Sequence, residues 1–173
     1  GAVEVDLIKD KIDVLVSGSQ KAIMLPPGVA FVAYSDRAKD RFAEVTTPRF
    51  YLDLNKYLSS QEQNSTPFTP NVALFRGVNA YVELVKHEGL NHVIKRHYSI
   101  RNALRTALKS LDLELLVKDD SYASPTVTSF VPKDKEELTY LKDQLKSRFN
   151  ITIAGVQGHL KGHILRIGHM GKV

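Results

Sequence analysis

The chain has 173 residues, of which 43% are hydrophobic and 25% are charged, the composition of an ordinary globular protein with a buried core. It contains no cysteine, which excludes a disulfide framework, a thiolate metal site and a cysteine nucleophile. Lysine and arginine outnumber the acidic residues by 24 to 19, so the formal net charge is +5.

The basic residues do not form a continuous patch in the sequence. These residues are scattered, and many have acidic neighbours in the sequence, which indicates a solvated surface. A basic stripe interleaved with aromatic residues is missing, so we predict no nucleic-acid partner. The sequence also lacks a run of roughly eighteen apolar residues and a signal-peptide pattern. We therefore expect a cytoplasmic protein without membrane contacts.

The first third of the chain predicts a strand, a loop, a second strand and a helix. Residues 12–16 form a β-branched run that predicts a buried strand, and Lys21 follows it closely. A proline–proline–glycine turn ends at Gly28, and residues 29–35 predict the second strand. Ser35 is expected to cap a short helix that ends near Val45.

The middle of the chain predicts a connection and two helices. Residues 46–70 are rich in polar residues and proline without a sustained period, which predicts an extended surface connection. Apolar residues then recur at helical spacing from Val72 to Gly89. A second helix is expected to bury an apolar face and to expose a basic one. The predicted buried positions are Val93, Ile100, Leu104, Ala107, Leu108 and Leu111, and the predicted exposed positions are Lys95, Arg101, Arg105 and Lys109.

The last third predicts a small α+β domain. Strand-like segments cover residues 113–117, 126–131, 151–154 and 163–167. Between them, Asp134 and Glu137 predict a helix start, and Leu138, Leu141 and Leu145 form its buried stripe. We expect a sheet with helices on one face.

The segment DVLVSGSQKAIMLPPG, residues 13–28, is similar to the cofactor-lysine segment of class V aminotransferases, the group that includes alanine:glyoxylate and serine:pyruvate aminotransferases. The resemblance continues in order through TPNV at residues 69–72, EGL at 88–90 and SPTVT at 124–128, and it ends at ILRIGHMG, residues 164–171. It therefore covers essentially the whole chain.

This resemblance implies an α/β fold: the C-terminal part of a fold type I transferase dependent on pyridoxal 5′-phosphate. Residues 1–70 would be the end of the large cofactor-binding domain, with the end of its sheet. Residues 71–112 would form linking helices, and residues 113–173 the small C-terminal α+β domain.

The resemblance also implies a set of site residues. Lys21 would bind pyridoxal phosphate covalently and act as the catalytic base, since a lysine amine forms an imine with an aldehyde. Ser19 and Gln20 would lie at the cofactor, Gln20 near its phosphate. Thr66 and Thr69 would reach the phosphate of a neighbouring subunit, which implies a homodimer.

Arg166 would bind the α-carboxylate of the substrate, because a planar guanidinium can donate two parallel hydrogen bonds to a carboxylate. Gly158 and Gly162 disfavour a helix that would place His159 and His163 on one face, and no acidic third ligand lies nearby, so we predict no metal site. His169 is predicted to be exposed, with a supporting role behind Arg166 as the alternative.

In the family, an aspartate that bonds the pyridine nitrogen comes from a preceding half, and Asp6, Asp10 and Asp13 lie too close to Lys21 in sequence to replace it. The sequence thus predicts an aminotransferase that moves an amino group from a small amino acid such as alanine or serine to glyoxylate or pyruvate, and that is inactive as this piece alone. The alternatives are a noncatalytic assembly module of the hydrogenase-associated type and a basic module for nucleic acid.

Overall fold

The computed structural model describes residues 2–172, which form two compact units. One unit, here the lysine unit, is Glu4–Leu84 and contains Lys21. The other, the arginine unit, consists of residues 2–3 and 85–172 and contains Arg166. Across residues 2–172 we find no helix with the length and apolar character needed to cross a bilayer.

The lysine unit opens with a hairpin of strands β1 (Val14–Gly18) and β2 (Ala30–Tyr34), joined by residues 19–29. The strands are antiparallel, with Val16 opposite Val32 and Gly18 opposite Ala30. Both predicted strands are confirmed, but the expected burial of the first is wrong. Val16 is 66% exposed, because β1 pairs only with β2 in this unit and half of its side chains alternate outward.

Helix α1 (Asp36–Glu44) follows, and the hydroxyl of Ser35 caps it by accepting from the amide of Ala38. The predicted extended connection is wrong in part, because residues 54–62 form helix α2 (Leu54–Glu62). The side chain of Asp53 caps α2 by accepting from the amide of Asn55. The helix is mostly polar and buries none of its residues fully, so it lacks the apolar period that would have predicted it.

Helices α3 (Val72–Glu88) and α4 (Leu90–Ser110) confirm the two predicted helices. The amide of Leu74 donates to the side chain of Asn71 at the start of α3. Between the helices stands Gly89 with φ 86°, a left-handed conformation that favours glycine and ends α3.

The arginine unit contains a three-stranded antiparallel sheet in the order β3 (Glu114–Leu115), β4 (Val127–Val131), β5 (Leu165–Gly168). Helix α5 (Lys135–Phe149) lies between β4 and β5 in sequence, with Asp134 as its cap. A short 3₁₀ helix covers Gly158–Leu160. The strand expected at residues 151–154 is reduced to a single bridge between Ala154 and Arg166.

A hydrophobic core holds the helices of the arginine unit against its sheet. Leu165, the central residue of this core, is 0% exposed. The leucine stripe predicted for α5 packs against the core and is confirmed as partly buried. The buried members are Leu108, Leu115, Phe130, Ile153 and Leu165, and those packed around them include Leu104, Leu113, Leu138, Leu141, Leu145 and Ile167.

The polar face predicted for α4 is wrong at two positions, because Arg101 and Arg105 are buried. The guanidinium of Arg101 donates to the carbonyl of Ala123 at 3.1 Å. Arg105, 3% exposed, donates to the carboxylate of Asp120 and to the carbonyl of Val117 at 2.8 Å. Charged groups are buried only when paired, and here the partners are carbonyls of the loop that follows β3 and, for Arg105, also the carboxylate of Asp120 in that loop.

We expect Arg105→Ala to lower the free energy of unfolding by about 2 kcal/mol, because several hydrogen bonds of a buried charged group are lost together. Lys109 also approaches Asp120, at 3.5 Å, but it is exposed. Lys109→Ala is therefore the matched control, with an expected change of less than about 0.5 kcal/mol. Urea unfolding of both variants measures the difference, and equal effects would contradict this role for Arg105.

Candidate functional site

The loop of residues 19–29, here called the lysine loop, carries Lys21 between the two strands of the hairpin. Lys21 is exposed, and within residues 2–172 its amine has no hydrogen bond or ion pair. Its carbonyl accepts from the amide of Met24 at 2.8 Å. Met24 has φ 63°, an unusual conformation for a residue with a side chain, so the turn after Lys21 has a defined and slightly strained shape.

Ser19 lies at the start of the lysine loop and is 0% exposed. Its hydroxyl donates to the carbonyl of Pro26 at 2.7 Å and accepts from the amide of Val29 at 3.3 Å. Its backbone also forms two bonds, to the carbonyl of Val29 at 3.0 Å and from the amide of Leu25 at 3.1 Å. No pattern in the sequence indicated this burial, and the predicted cofactor contact of Ser19 stays a prediction.

Gln20 is exposed, and its carboxamide folds over the backbone of Gly18. A Cβ atom on Gly18 would meet the Gln20 side-chain oxygen at 2.5 Å, a separation that real contacts do not reach. The missing side chain at Gly18 therefore leaves the space that the Gln20 amide occupies. The close approach also explains a glycine at the end of β1.

The lysine loop rests on helix α3 of the same unit. A Cβ atom on Gly77 would meet the side chain of Leu25 at 2.8 Å, and one on Gly28 would meet the side chain of Leu74 at 2.6 Å. Both glycines thus permit close packing between loop and helix. The φ of Gly28, 145°, adds a second reason for glycine at that position.

The two candidate threonines lie together in sequence, ahead of α3. Thr66 donates its hydroxyl hydrogen to the carbonyl of Phe68 at 2.8 Å, a local turn contact. Thr69 is exposed. The ring of Phe68 contacts the rings of Phe50, Tyr51 and Tyr57, with centroids 4.9–6.1 Å apart, so the threonines flank an aromatic cluster.

Arg166 occupies the second position of β5 in the arginine unit. It pairs with Ser129 of β4 on one side and exchanges two backbone hydrogen bonds with Ala154 on the other, at 2.7 and 3.1 Å. Its Nε donates to the carbonyl of Gly155 at 2.8 Å. Because this bond uses Nε, the two terminal nitrogens of the exposed guanidinium are left for a carboxylate.

The acidic residues near Lys21 in sequence make local contacts. Asp6 accepts from the amides of Ile8 and Lys9, and Asp10 accepts from the amide of Asp6. Asp13 accepts from Arg37 and from the hydroxyl of Ser35, and these two hydrogen bonds lower the pKa of its carboxyl. All three carboxylates serve the local structure of the lysine unit.

The prediction of an exposed His169 is wrong. The residue is 4% exposed, and its Nε2 lies 2.9 Å from the hydroxyl of Thr128. It stands three residues beyond Arg166, just past the end of β5, and its hydrogen-bond partner is Thr128, so the alternative of a supporting role behind Arg166 stays a prediction. His97 of α4 is also fully buried and accepts from the amide of Gly171 at 3.0 Å.

The spacing of residues in α4 could have revealed that His97, Arg101 and Arg105 are buried. The apolar residues Val93 and Leu108 mark the inward face of α4, and His97, Arg101 and Arg105 recur between them at intervals of four. Hydropathy alone assigned the two arginines to solvent. Among residues 2–172 no group of three histidine or acidic side chains is arranged to hold a metal ion.

Comparison with known proteins identifies the family. A family described as aminotransferase class-V matches residues 1–167. The chain belongs to this family. The match includes the lysine loop and Arg166, and it agrees with the resemblance found in the sequence.

Two relatives of the chain are named as hydrogenase subunits. The small subunit of a soluble hydrogenase from Synechococcus sp. is 44% identical over the whole chain, which covers 44% of that protein. The 42 kDa subunit of a soluble hydrogenase from Anabaena cylindrica is 40% identical over the whole chain, which covers 45% of it. The chain therefore spans less than half the length of these relatives.

Among solved structures, an alanine–glyoxylate aminotransferase from Nostoc sp. superposes on 99% of the chain with a TM-score of 0.89 and 27% identity. The superposed region covers 46% of that structure. The mixed α/β fold is accordingly that of a partial fold type I aminotransferase, as predicted.

The stability of the arginine unit should depend on pH through His169. Burial lowers the pKa of His169, with smaller contributions in the same direction from His97 and Arg101. The neutral form is favoured in the folded state, so its stabilising contribution is present above the ordinary pKa of 6.5 and is lost as the pH falls below it.

We expect urea unfolding to show a smaller loss of stability between pH 7 and pH 5 in His169→Gln than in the unchanged chain. Glutamine keeps a polar partner for Thr128 and does not titrate. The exposed His159 is the control, and His159→Gln should leave the pH dependence unchanged. Identical pH profiles for all three proteins would contradict the assignment to His169.

Proposed function

We propose that this chain supplies the lysine and the carboxylate-binding arginine of a class V aminotransferase that uses pyridoxal 5′-phosphate. The observation that carries the proposal is Lys21, an exposed amine without a partner in residues 2–172, on a loop held closed by internal hydrogen bonds. A fixed loop with a free amine is what a covalent cofactor attachment needs.

The residues present fit the cofactor in their chemistry. Pyridoxal phosphate, when bound, supplies an aldehyde for a lysine amine and a ring that stores electrons during transamination. Lys21 offers the amine, and the Gln20 carboxamide held over Gly18 offers an N–H donor for a phosphate oxygen. Thr66 and Thr69 complete the proposed cofactor contacts across a homodimer.

Lys21 and Arg166 would have separate tasks in the reaction. The freed amine of Lys21 would remove the proton from Cα of the amino acid and return it later in the cycle. The two terminal nitrogens of Arg166 would bind the α-carboxylate in parallel, with the guanidinium fixed by its bond to Gly155. Lys21 would thus transfer the proton, and Arg166 would orient the substrate.

The finer assignments rest on the family. We propose a small amino donor such as alanine or serine, with glyoxylate or pyruvate as acceptor, and a cytoplasmic location. Residues 1–70 would belong to the large cofactor-binding domain, residues 71–112 to linking helices and residues 113–173 to the small domain. Asp6, Asp10 and Asp13 make local contacts, so the counter-charge for the pyridine nitrogen would come from a preceding half, and the isolated piece would lack turnover.

A second candidate function is a noncatalytic assembly module. The names of the relatives from Synechococcus and Anabaena, both soluble hydrogenase subunits, favour it. Such a module would keep the fold and its surfaces without using Lys21. Covalent capture of the cofactor separates the two candidates.

We expect pyridoxal phosphate followed by borohydride to label Lys21 stoichiometrically, because its amine is exposed and lacks a competing partner. Peptide mapping by mass spectrometry locates the label. Lys21→Ala should abolish it, whereas Lys39→Ala, at an exposed lysine of α1, should leave it unchanged. Label spread over surface lysines in the unchanged chain would contradict the proposal and favour the assembly module.

The space at Gly18 yields a further prediction. Its φ does not require glycine, so Gly18→Ala should leave the free energy of unfolding within about 1 kcal/mol, since the atom it meets is the end of a flexible side chain. The displaced Gln20 amide should nevertheless weaken cofactor binding, by roughly the tenfold that one charge-assisted hydrogen bond contributes. The apparent affinity for pyridoxal phosphate, measured by the change in its absorbance, tests this, with Gln20→Ala as the reference. A binding loss in Gln20→Ala but not in Gly18→Ala would contradict the role given to Gly18.

A further inference from the structure

Ser19 stands where the hairpin ladder gives way to the lysine loop. Gly18 and Ala30 form the last strand pair, so Ser19 and Val29 come next in register. Directly opposed residues in such a position would exchange two backbone hydrogen bonds. Only one is made here, from the amide of Ser19 to the carbonyl of Val29 at 3.0 Å.

The side chain of Ser19 replaces the missing ladder bond. The carbonyl of Ser19 accepts from the amide of Leu25 at 3.1 Å and not from the amide of Val29. The hydroxyl takes its place by accepting from the amide of Val29, and it donates its hydrogen to the carbonyl of Pro26. One residue thus ties the strand end to three points of the lysine loop.

These bonds leave the hydroxyl poorly suited to a phosphate. A phosphate oxygen is an acceptor and needs a donor, but the only hydrogen of the Ser19 hydroxyl is directed at Pro26. The side chain is also 0% exposed. In contrast, the neighbouring Gln20 and Lys21 are both exposed, so burial separates Ser19 from the two residues with free polar groups.

We propose that Ser19 is a positioning residue that fixes the lysine loop and thereby the place of the Lys21 amine, and that it is not a ligand of the cofactor. The inference rests on the proposed function of Lys21. Lys21 lies inside the turn that is closed by the hydrogen bond from the amide of Leu25 to the carbonyl of Ser19. Within this turn, the carbonyl of Lys21 accepts from the amide of the strained residue Met24. Loss of the hydroxyl would let this turn move while the hairpin and α3 remain folded.

Ser19→Ala tests the proposal, with Ser17→Ala as the matched control at an exposed serine of β1. Hydrogen exchange of the Leu25 and Val29 amides measures the loop, and we expect exchange roughly tenfold faster in Ser19→Ala only. Acetylation of Lys21 relative to Lys39, without cofactor, measures the position of the amine. Borohydride capture of pyridoxal phosphate measures the selectivity for Lys21, which should fall about fivefold or more.

Each outcome decides the matter. Faster exchange together with altered Lys21 acetylation and lost selectivity supports the proposal. Lost selectivity with unchanged exchange would mean that the hydroxyl contacts the cofactor directly. Faster exchange with unchanged acetylation and capture at Lys21 would mean that the loop does not position the amine. Either result overturns the proposal.

Failure of the proposed function is a separate outcome. If the unchanged chain captures no cofactor at Lys21, the function fails, and the positioning role is judged by exchange and acetylation alone. If Ser19→Ala does not fold, Ser19→Cys replaces it, because a thiol is a weaker donor of similar shape. Ser19→Cys should then change loop exchange and Lys21 acetylation in the same direction but less, and no change overturns the proposal.

Discussion

Backbone hydrogen bonding along short antiparallel strands is the constraint on which both candidate cations depend. Lys21 lies two residues beyond Ser19, whose hydrogen bond to Val29 ends the pairing of β1 with β2. Arg166 lies within β5, bonded to β4 on one side and to Ala154 on the other. In each unit the strand fixes the backbone and leaves a long cationic side chain exposed, so a rigid element presents a flexible group.

Buried polar groups organise the arginine unit around its hydrophobic core. His97, Arg101 and Arg105 lie along one face of α4 and bond to backbone groups outside the helix. Leaving a buried donor without a partner destabilises the fold by more free energy than the hydrogen bond itself contributes. The loops that supply the partners are therefore restricted to conformations that keep these bonds. The Nδ1 atom of His169 is the one buried side-chain nitrogen or oxygen of the described residues without a hydrogen bond, which fits a neutral imidazole held by Thr128.

Family and fold are better defined than activity. The class V match and the superposition on an alanine–glyoxylate aminotransferase concern the same residues, whereas the hydrogenase subunits share more sequence under a different name. One fold supports several functions, and the difference lies in particular side chains. For this chain the deciding residue is Lys21, because covalent chemistry at its amine is required by an aminotransferase and is of no use to an assembly module.

The sequence by itself determined the family, the order of most elements and the candidate residues, because those depend on local patterns: the hairpin strands, the caps at Ser35 and Asp134, and the motif around Lys21. It did not reveal α2, which has polar residues without an apolar period, or the burial of Arg101, Arg105 and His169, whose partners are distant in sequence. The closed lysine loop also depends on contacts across ten residues, from Ser19 to Val29. Tertiary structure decided these features because the burial of a polar group is settled by the partner that satisfies it, and that partner comes from another part of the fold.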